Sequence, residues 1–339
     1  MTITVKQSRD PSPSDAGLDQ VSACLFCGSE NSVPAFDGVK DLFFHADPGE
    51  FAFNRCADCE SLWMPMRPTG DRLLKAYSNY YTHASHHPQA ARRTATVWLR
   101  DAYLRATLAK SPSALDRCVS ALIRVAGVNM TGVDAKYRFT PKAPARVLDY
   151  GCGSGAFLMT MLPFGHDLRG AEYDPTLLRE LSERGIPVDD VVGLTDGSWN
   201  AHFDHITLAH VIEHVADPQA LLARLYKWLK PGGSVYIEVP NANATGLEIF
   251  GRTWRGLEVP RHFALPTQKA LKSAIERAGF ELEKQHVEAV TRAWMWQESL
   301  GVSAPEDRPA LQAAMASAAP EDRCNAEFLT FLVRKPDIS

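Results

Sequence analysis

Two cysteine pairs, Cys24-x-x-Cys27 and Cys56-x-x-Cys59, carry the plainest chemistry in the chain. Thiolates three residues apart in a tight turn can face one ion. Two such turns complete a tetrahedral set for structural zinc, with no position left open for catalysis. The 28 residues between the pairs are expected to fold as a small antiparallel hairpin built from FFHA and EFAFNRC. A unit of that size buries too little apolar surface to stand alone, so a bound ion would supply the missing stability. A redox dithiol would use the same spacing, and His45 is a rival ligand in the intervening loop. Cys118, Cys152 and Cys324 are scattered singly, and a chain without an export signal is not expected to build a disulfide framework.

A second concentration of chemistry runs from Val147 to Gly155, VLDYGCGSG. An apolar strand enters a glycine-rich turn and a helix begins at once; the glycines let a ligand approach the backbone and supply conformations barred to other residues. Gly151-x-Gly153-x-x-Ala156 also fits a dinucleotide fingerprint, and Glu172 lies at a spacing suited to a ribose in either case. Asp149 is placed to orient the turn and a bound ammonium group. Further along, His210, Glu213 and His214 in HVIEHV follow a strand's C-terminal end, where open α/β sheets place ligands. His214 is a candidate base with Glu213 to orient it, and His210 is expected to pack at the sheet edge. Tyr77, Tyr80, Tyr81 and His83 form a cluster that suits either an acceptor pocket or packing between units. Trp254 with Arg252, Arg255 and Arg261 makes an aromatic-basic stretch that could hold an anionic head.

These residues need a scaffold, and the pattern from Arg146 onward provides one. ARVLDY, LRGAEY, FDHITLAHV, GSVYIEVP, FELEKQHVEAV and EFLTFLVRKP read as strands; GAFLMTML, PTLLRELSERG, PQALLARLYKWLK and QKALKSAIERAG read as helices. Such alternation predicts a parallel sheet covered on both faces. Asp174-Pro175 and Asp217-Pro218 mark two helix starts. The last two strands lie roughly 35 residues apart, which suits a reversed terminal hairpin with an inserted helix. Upstream, a helix is expected from Gln89 to Lys110 and another capped at Ser111-Pro112, with Val97, Leu104, Leu108, Leu115, Val119 and Leu122 facing the core. GVNMTGVDAKYRFTPKAPA reads as a linker. The expected division is a flexible tail (1–20), a zinc-binding unit (21–68), a helical linker or lid (69–142) and an α/β domain (143–339).

Composition bounds the alternatives. The chain has 339 residues, 45% hydrophobic and 22% charged, as globular proteins do. No run of about 18 apolar residues predicts a spanning helix, and the polar start lacks a secretory signal, so a cytoplasmic protein is expected. The net charge is −4, and residues 24–60 carry two basic against seven acidic side chains, so no nucleic-acid partner is expected.

LDYGCGSG, AEYDP and HVIEHVADP, in that order, resemble the class I S-adenosylmethionine-dependent methyltransferases over Arg146 to Pro336. The resemblance implies a Rossmann-like seven-stranded sheet and S-adenosylmethionine as cofactor. It implies a cofactor set of Asp149, Gly151, Cys152, Gly153, Gly155, Glu172, Tyr173 and His210, with Asp196 offered to the adenine from the loop after the third strand. The paired cysteines followed by YSNYYTH narrow the resemblance to zinc-binding methyltransferases of bacterial sugar and natural-product pathways. Some of these methylate carbon in deoxysugar nucleotides and carry a further C-terminal domain. This chain ends soon after its last expected strand, so oxygen on a surface-glycan or lipid-linked acceptor is the other expectation. In the carbon-methylating members a Glu-His-Phe supplies the proposed base. Here the matching place reads Arg261-His262-Phe263, so His262 is expected in the acceptor pocket without a neighbouring carboxylate, and Arg261 is free to hold phosphate or carboxylate.

The catalytic candidates are therefore His214, His262, Glu213 and Tyr80. The expected reaction is methyl transfer to a small-molecule or nucleotide- or lipid-linked sugar acceptor, with histidine-assisted deprotonation. A dinucleotide-dependent sugar oxidoreductase or epimerase would share the glycine turn but need a Tyr-x-x-x-Lys couple at its catalytic position, and none is expected after the glycine turn. A non-enzymatic zinc-knuckle interaction protein is the third reading.

Overall fold

The computed structural model describes residues 17–77, 94–194, 197, 199–287 and 289–337. Tyr80, Tyr81, His83, Asp196 and most of the expected tail lie outside the described residues. The first strands are β1 (Leu18–Gln20), β2 (Ser32–Lys40), β3 (Glu50–Cys56), β4 (Leu62–Trp63) and β5 (Met66–Pro68). β1 pairs with β5, while β2, β3 and β4 form an antiparallel sheet. EFAFNRC is a strand as expected, but its partner is SVPAFDGVK rather than FFHA. The reason is Asp41, whose carboxylate accepts the amides of Phe44 and Ala46 and so folds FFHA into the connecting turn.

Among the described residues four helices follow: α1 (Gly70–Ala76), α2 (Ala95–Leu108), α3 (Ala114–Val125) and α4 (Thr131–Lys136). α3 starts later than Ser111, because Ser113 and Asp116 form a reciprocal capping box. Arg105 reaches Asp116 at 2.8 Å, which turns the Asp116–Val119–Ser120 side of α3 inward. Leu115 and Leu122, expected in the core, are consequently exposed, while Leu104, Leu108 and Val119 are buried. The presumed linker before the sheet contains α4 and delivers Arg138 to the sheet interior.

The α/β part runs β6 (Arg146–Tyr150), α5 (Ala156–Met161), β7 (Asp167–Glu172), α6 (Pro175–Glu183), β8 (Val188–Asp190), β9 (Phe203–Ala209), α7 (Pro218–Trp228), β10 (Leu229–Pro240), α8 (Thr245–Phe250), β11 (Ala264–Leu265), α9 (Gln268–Arg277), β12 (Glu281–His286), α10 (Ala289–Val302), α11 (Arg308–Ser317) and β13 (Phe328–Arg334). Seven strands lie in the order β12-β13-β10-β9-β6-β7-β8, with β13 antiparallel to both neighbours. The reversed ending is as expected, with two helices inserted rather than one. β12 stops at His286, short of the expected strand end. Asp174 and Asp217 cap α6 and α7 through backbone amides. Successive residues of β6 serve opposite faces: Val147 packs with α2 and α5, Leu148 with α7 and α9.

The small N-terminal sheet does not stand apart. β11, from the loop after α8, pairs with β4 and becomes its fourth strand. Cys24, Phe26, Cys56, Cys59 and Trp63 belong to the same apolar cluster as the main sheet. Shared burial therefore supports this unit, beyond what an ion would supply. Among the described residues no helix is long and apolar enough to cross a membrane.

Candidate functional site

Both cysteine turns are built alike. The amide of Gly28 donates to Cys24 O and that of Glu60 to Cys56 O, while Cys24 N and Cys56 N donate to Ser29 O and Ser61 O. The residue after each pair has a positive φ, 77° at Gly28 and 63° at Glu60. The result brings Cys24 Sγ to 3.6 Å from Cys59 Sγ and Cys27 Sγ to 3.5 Å from Cys56 Sγ. Tetrahedral zinc with Zn–S near 2.3 Å separates its sulfurs by about 3.8 Å, so the four residues fit that ion. His45 is exposed and not part of this group.

The strand order reverses between β9 and β6, and ligands of open α/β sheets bind where this happens, beyond the strands' C-terminal ends. A cavity of about 300 Å³ lies there. The glycine turn after β6 forms its floor. Gly151 has φ 73°, and a Cβ there would stand 2.5 Å from Val211 Cγ2, so only glycine leaves the cleft open. Glu172, at the end of β7, is fixed by three backbone amides: Gly153 N at 2.8 Å, Tyr173 N at 2.9 Å and Asp174 N at 3.3 Å. Tyr150, Tyr173, His210 and His214 also line the cavity, as do Leu73, Leu74 and Tyr77 from α1 and its C-terminal cap.

Two expected cofactor residues stand behind this wall rather than on it. Asp149 is buried, paired with Arg138 and accepting from Thr207 Oγ1 at 2.6 Å. Its carboxylate braces the sheet beneath the turn instead of facing a ligand ammonium. Cys152 is buried against Gly170. The loop after β8 does reach the cavity, through Val191. Leu73, Leu74 and Arg138 went unrecognised in the sequence; the apolar run in DRLLKAY was the one available signal for the first two.

A second cavity, about 120 Å³, adjoins the first and shares His210 with it. His262, Glu258, Trp294, Met295 and Phe328 line it. His262 Nδ1 donates to Gly256 O at 2.8 Å, and the His214 ring stands 4.7 Å away edge to face. His214 Nδ1 lies 3.0 Å from both Arg261 O and the Tyr77 hydroxyl. Contrary to expectation, His262 does have carboxylates nearby: Nε2 is 3.9 Å from Glu213 and 4.0 Å from Glu258. They arrive from β9's end and from the preceding turn, not from position 261. Burial pushes the His262 imidazole down to about 4, against the pull of Glu258 and Glu213. Although burial opposes it, contact with Glu213 and Glu238 holds His210 well above the usual histidine range.

Arg255 and Arg261 do not form the expected anion grip. Arg261 is fully buried and donates to both Asp41 oxygens, at 2.9 and 3.3 Å, and to Ala76 O at 2.8 Å. Arg255 is buried against Glu258, and Trp254 Nε1 donates to Glu327 at 2.7 Å. The cations were spent inside the fold because each has a buried carboxylate to balance. Contrary to expectation, one Tyr-x-x-x-Lys spacing does follow the glycine turn, Tyr226 to Lys230. It lies at the opposite end of the sheet, where Lys230 donates to Asp204 at 2.7 Å and Tyr226 packs on Phe280. It cannot serve this crevice.

The family pattern described as "Methyltransferase domain" matches residues 122–285. Over 125 residues the chain is 33% identical to the ubiquinone biosynthesis O-methyltransferase of Pectobacterium atrosepticum, covering 34% of this chain and 52% of that protein. Over 159 residues it is 30% identical to the protein of the same name from Thiobacillus denitrificans, covering 42% of this chain and 68% of that one. The chain thus spans about half the length of the first of these curated relatives. The crystal structure of an S-adenosylmethionine dependent methyltransferase from Mesorhizobium loti is also similar, at 18% identity and a TM-score of 0.42, covering 60% of this chain and 97% of that one.

Proposed function

The chain belongs to the S-adenosylmethionine-dependent methyltransferases, and on that footing we propose that it transfers the sulfonium methyl to a hydroxyl oxygen of a small ring-bearing acceptor seated against His262. The observation that carries this reading is the adjacency of two cavities that share His210, with His214 on one and His262 on the other. Bound in the larger cavity, the cofactor supplies a methyl already activated by its positive sulfur. Gly151 and Gly153 would hold it along the backbone and Glu172 would accept its ribose hydroxyls.

What remains for the protein is alignment, exclusion of water and removal of a proton. Because His262 Nδ1 donates to a carbonyl, its lone pair lies on Nε2. Being held near 4, the ring is unprotonated at neutral pH and ready to accept. Glu213 and Glu258 would stabilise the imidazolium as it forms. The apolar walls Trp294, Met295 and Phe328 suit a ring face. Arg255 and Arg261 are committed to buried carboxylates, so neither is placed to hold a diphosphate head there. The O-methyltransferase name of the relatives favours oxygen over carbon. We also propose that Cys24, Cys27, Cys56 and Cys59 hold a structural zinc.

Calorimetric titration with S-adenosylhomocysteine, followed by labelled-methyl transfer to dihydroxyaromatic and sugar-nucleotide panels, tests the reading. The homocysteine product is expected to bind where NAD does not, and aromatic hydroxyls are expected to accept the label. His262→Ala should lower transfer by about 10² or more. Transfer confined to sugar nucleotides would return the acceptor to the carbohydrate class.

A further inference from the structure

The insertion between β12 and β13 supplies Trp294 and Met295, both on α10, to the smaller cavity. Helical geometry turns Trp294 and Trp296 to opposite sides of α10. Trp294 lines the cavity yet is 48% exposed, so it stands at the rim, whereas Trp296 is buried. Polar contacts pin the buried side to the loop after α8. Ser299 Oγ donates to Met295 O at 2.7 Å and accepts the Arg255 amide at 2.9 Å, and Ser303 Oγ meets Thr253 Oγ1 at 2.9 Å.

Glu327 closes this arrangement. It is buried at the far end of the same insertion, immediately before β13. One carboxylate oxygen accepts Trp296 Nε1 and Gly246 N, both at 2.8 Å, and the other accepts Trp254 Nε1 at 2.7 Å. A Cβ at position 246 would stand 2.4 Å from the carboxylate, so glycine is what lets α8 approach it. Arg292 lies over the Trp296 ring at 4.7 Å and turns to Glu321 at 3.5 Å.

Three walls of the cavity start from this knot. Trp296 follows Met295. Trp254 precedes Arg255 and Gly256, and the Gly256 carbonyl accepts from His262 Nδ1. Glu327 itself precedes Phe328, whose ring meets that of His210 at 4.6 Å, edge to face. An apolar side chain at 327 would fill the space without setting angles; hydrogen bonds from three directions hold the segments in one arrangement.

We propose that Glu327 is a positioning residue of the acceptor site, resting on the acceptor reading of that cavity. By holding Trp254, Trp296 and the start of β13 at fixed separations, it sets the cavity's width and so the size of ring the enzyme accepts. Glu327 does not line the cavity and acts through its three partners.

Glu327→Gln tests this, because it keeps the volume while the carboxamide NH2 must face an indole N–H whichever way it sits. Labelled-methyl transfer is measured with one-ring and fused two-ring dihydroxyaromatics. The two-ring to one-ring ratio of kcat/KM should rise about tenfold, the worth of one hydrogen bond to a charged group. Trp296→Phe, which keeps a ring and leaves two donors, should move it less in the same direction. Leu300→Ala, buried on the same helix but outside the cavity lining, should lower stability and leave the ratio alone. S-adenosylhomocysteine affinity should stay within a few-fold throughout. Hydrogen exchange needs no acceptor: amides of residues 291–302 should exchange faster in Glu327→Gln, while β6 and β9 keep their protection. If Glu327→Gln does not fold, Trp296→Phe carries both measurements. An unchanged ratio, an equal shift in Leu300→Ala, or unchanged exchange overturns the proposal. Wild-type transfer to sugar nucleotides alone, or to neither panel, overturns the acceptor reading instead, and exchange then decides whether Glu327 holds α10.

Discussion

On the proposed cofactor side of the crevice the lining comes largely from two strand ends and the turns that follow them: Gly151 and Gly153 after β6, Glu172 and Tyr173 at the end of β7. The proposed acceptor side is gathered from across the chain. Asp41 comes from the β2–β3 turn, Glu213 from the turn after β9, and Glu258, Arg261 and His262 from the loop before β11. The first wall is built on the backbone of the glycine turn and on Glu172, which three backbone amides hold in place. The second is side-chain charge in a water-poor interior, where each group depends on its partners. Asp41 and β4 make the N-terminal unit part of that second wall rather than an appendage.

The sharpest way to break this comparison is to remove Asp41. Asp41→Ala leaves the Arg261 guanidinium buried and unbalanced, and loss of one member of a buried pair typically costs about 3–5 kcal/mol. Chemical denaturation should show a loss of that order, with the double variant Asp41→Ala/Arg261→Leu recovering much of it. S-adenosylhomocysteine affinity, read on the opposite wall, should change by no more than a few-fold. If affinity for the cofactor product collapses as well, the two walls are one cooperative unit. The complementary change is Gly151→Ala, at φ 73° with Val211 Cγ2 in the way. Strain and overpacking predict a loss of about 1–3 kcal/mol. Here product binding should fall more than tenfold.

The same contrast explains what the sequence could and could not disclose. A backbone wall needs contiguous residues of special type, so VLDYGCGSG and Glu172 were visible as a motif, as were Asp174 and Asp217 as helix caps. The doubled C-x-x-C was legible for the same reason. Long-range charge pairing leaves no local trace: Asp41 meets Arg261 across 220 positions. Arg261 could therefore be read only as a loop cation, and His262 only as lacking a carboxylate. Glu258 lies four residues before His262, yet it faces the ring only because the chain turns left-handed there, with φ 34°. α3 misled for a related reason. Its apolar spacing favoured Leu115 and Leu122 inside, but the Arg105–Asp116 pair and the Ser113 cap set its rotation instead.

The smallest effect probes whether the backbone wall has any dependence on charge at all. His205 on β9 is fully buried, with Nε2 donating to Arg138 O at 2.9 Å and Nδ1 accepting from Ser234 Oγ at 2.8 Å. Arg138 in turn braces Asp149 under the glycine turn. Burial pushes the His205 imidazole down to about 3 from the ordinary 6.5. The unfolded chain then binds a proton that the folded chain refuses, so stability rises with pH between those two values. The contribution is complete above pH 6.5 and is lost as pH falls toward 3, at about 1.4 kcal/mol per pH unit. Between pH 6.5 and 5.5, urea unfolding of the wild type should therefore lose about 1 kcal/mol more than that of His205→Gln. Equal slopes for the two proteins would mean that the proton is accommodated without disturbing Arg138. The cofactor wall would then owe nothing to His205, and its backbone character would be complete.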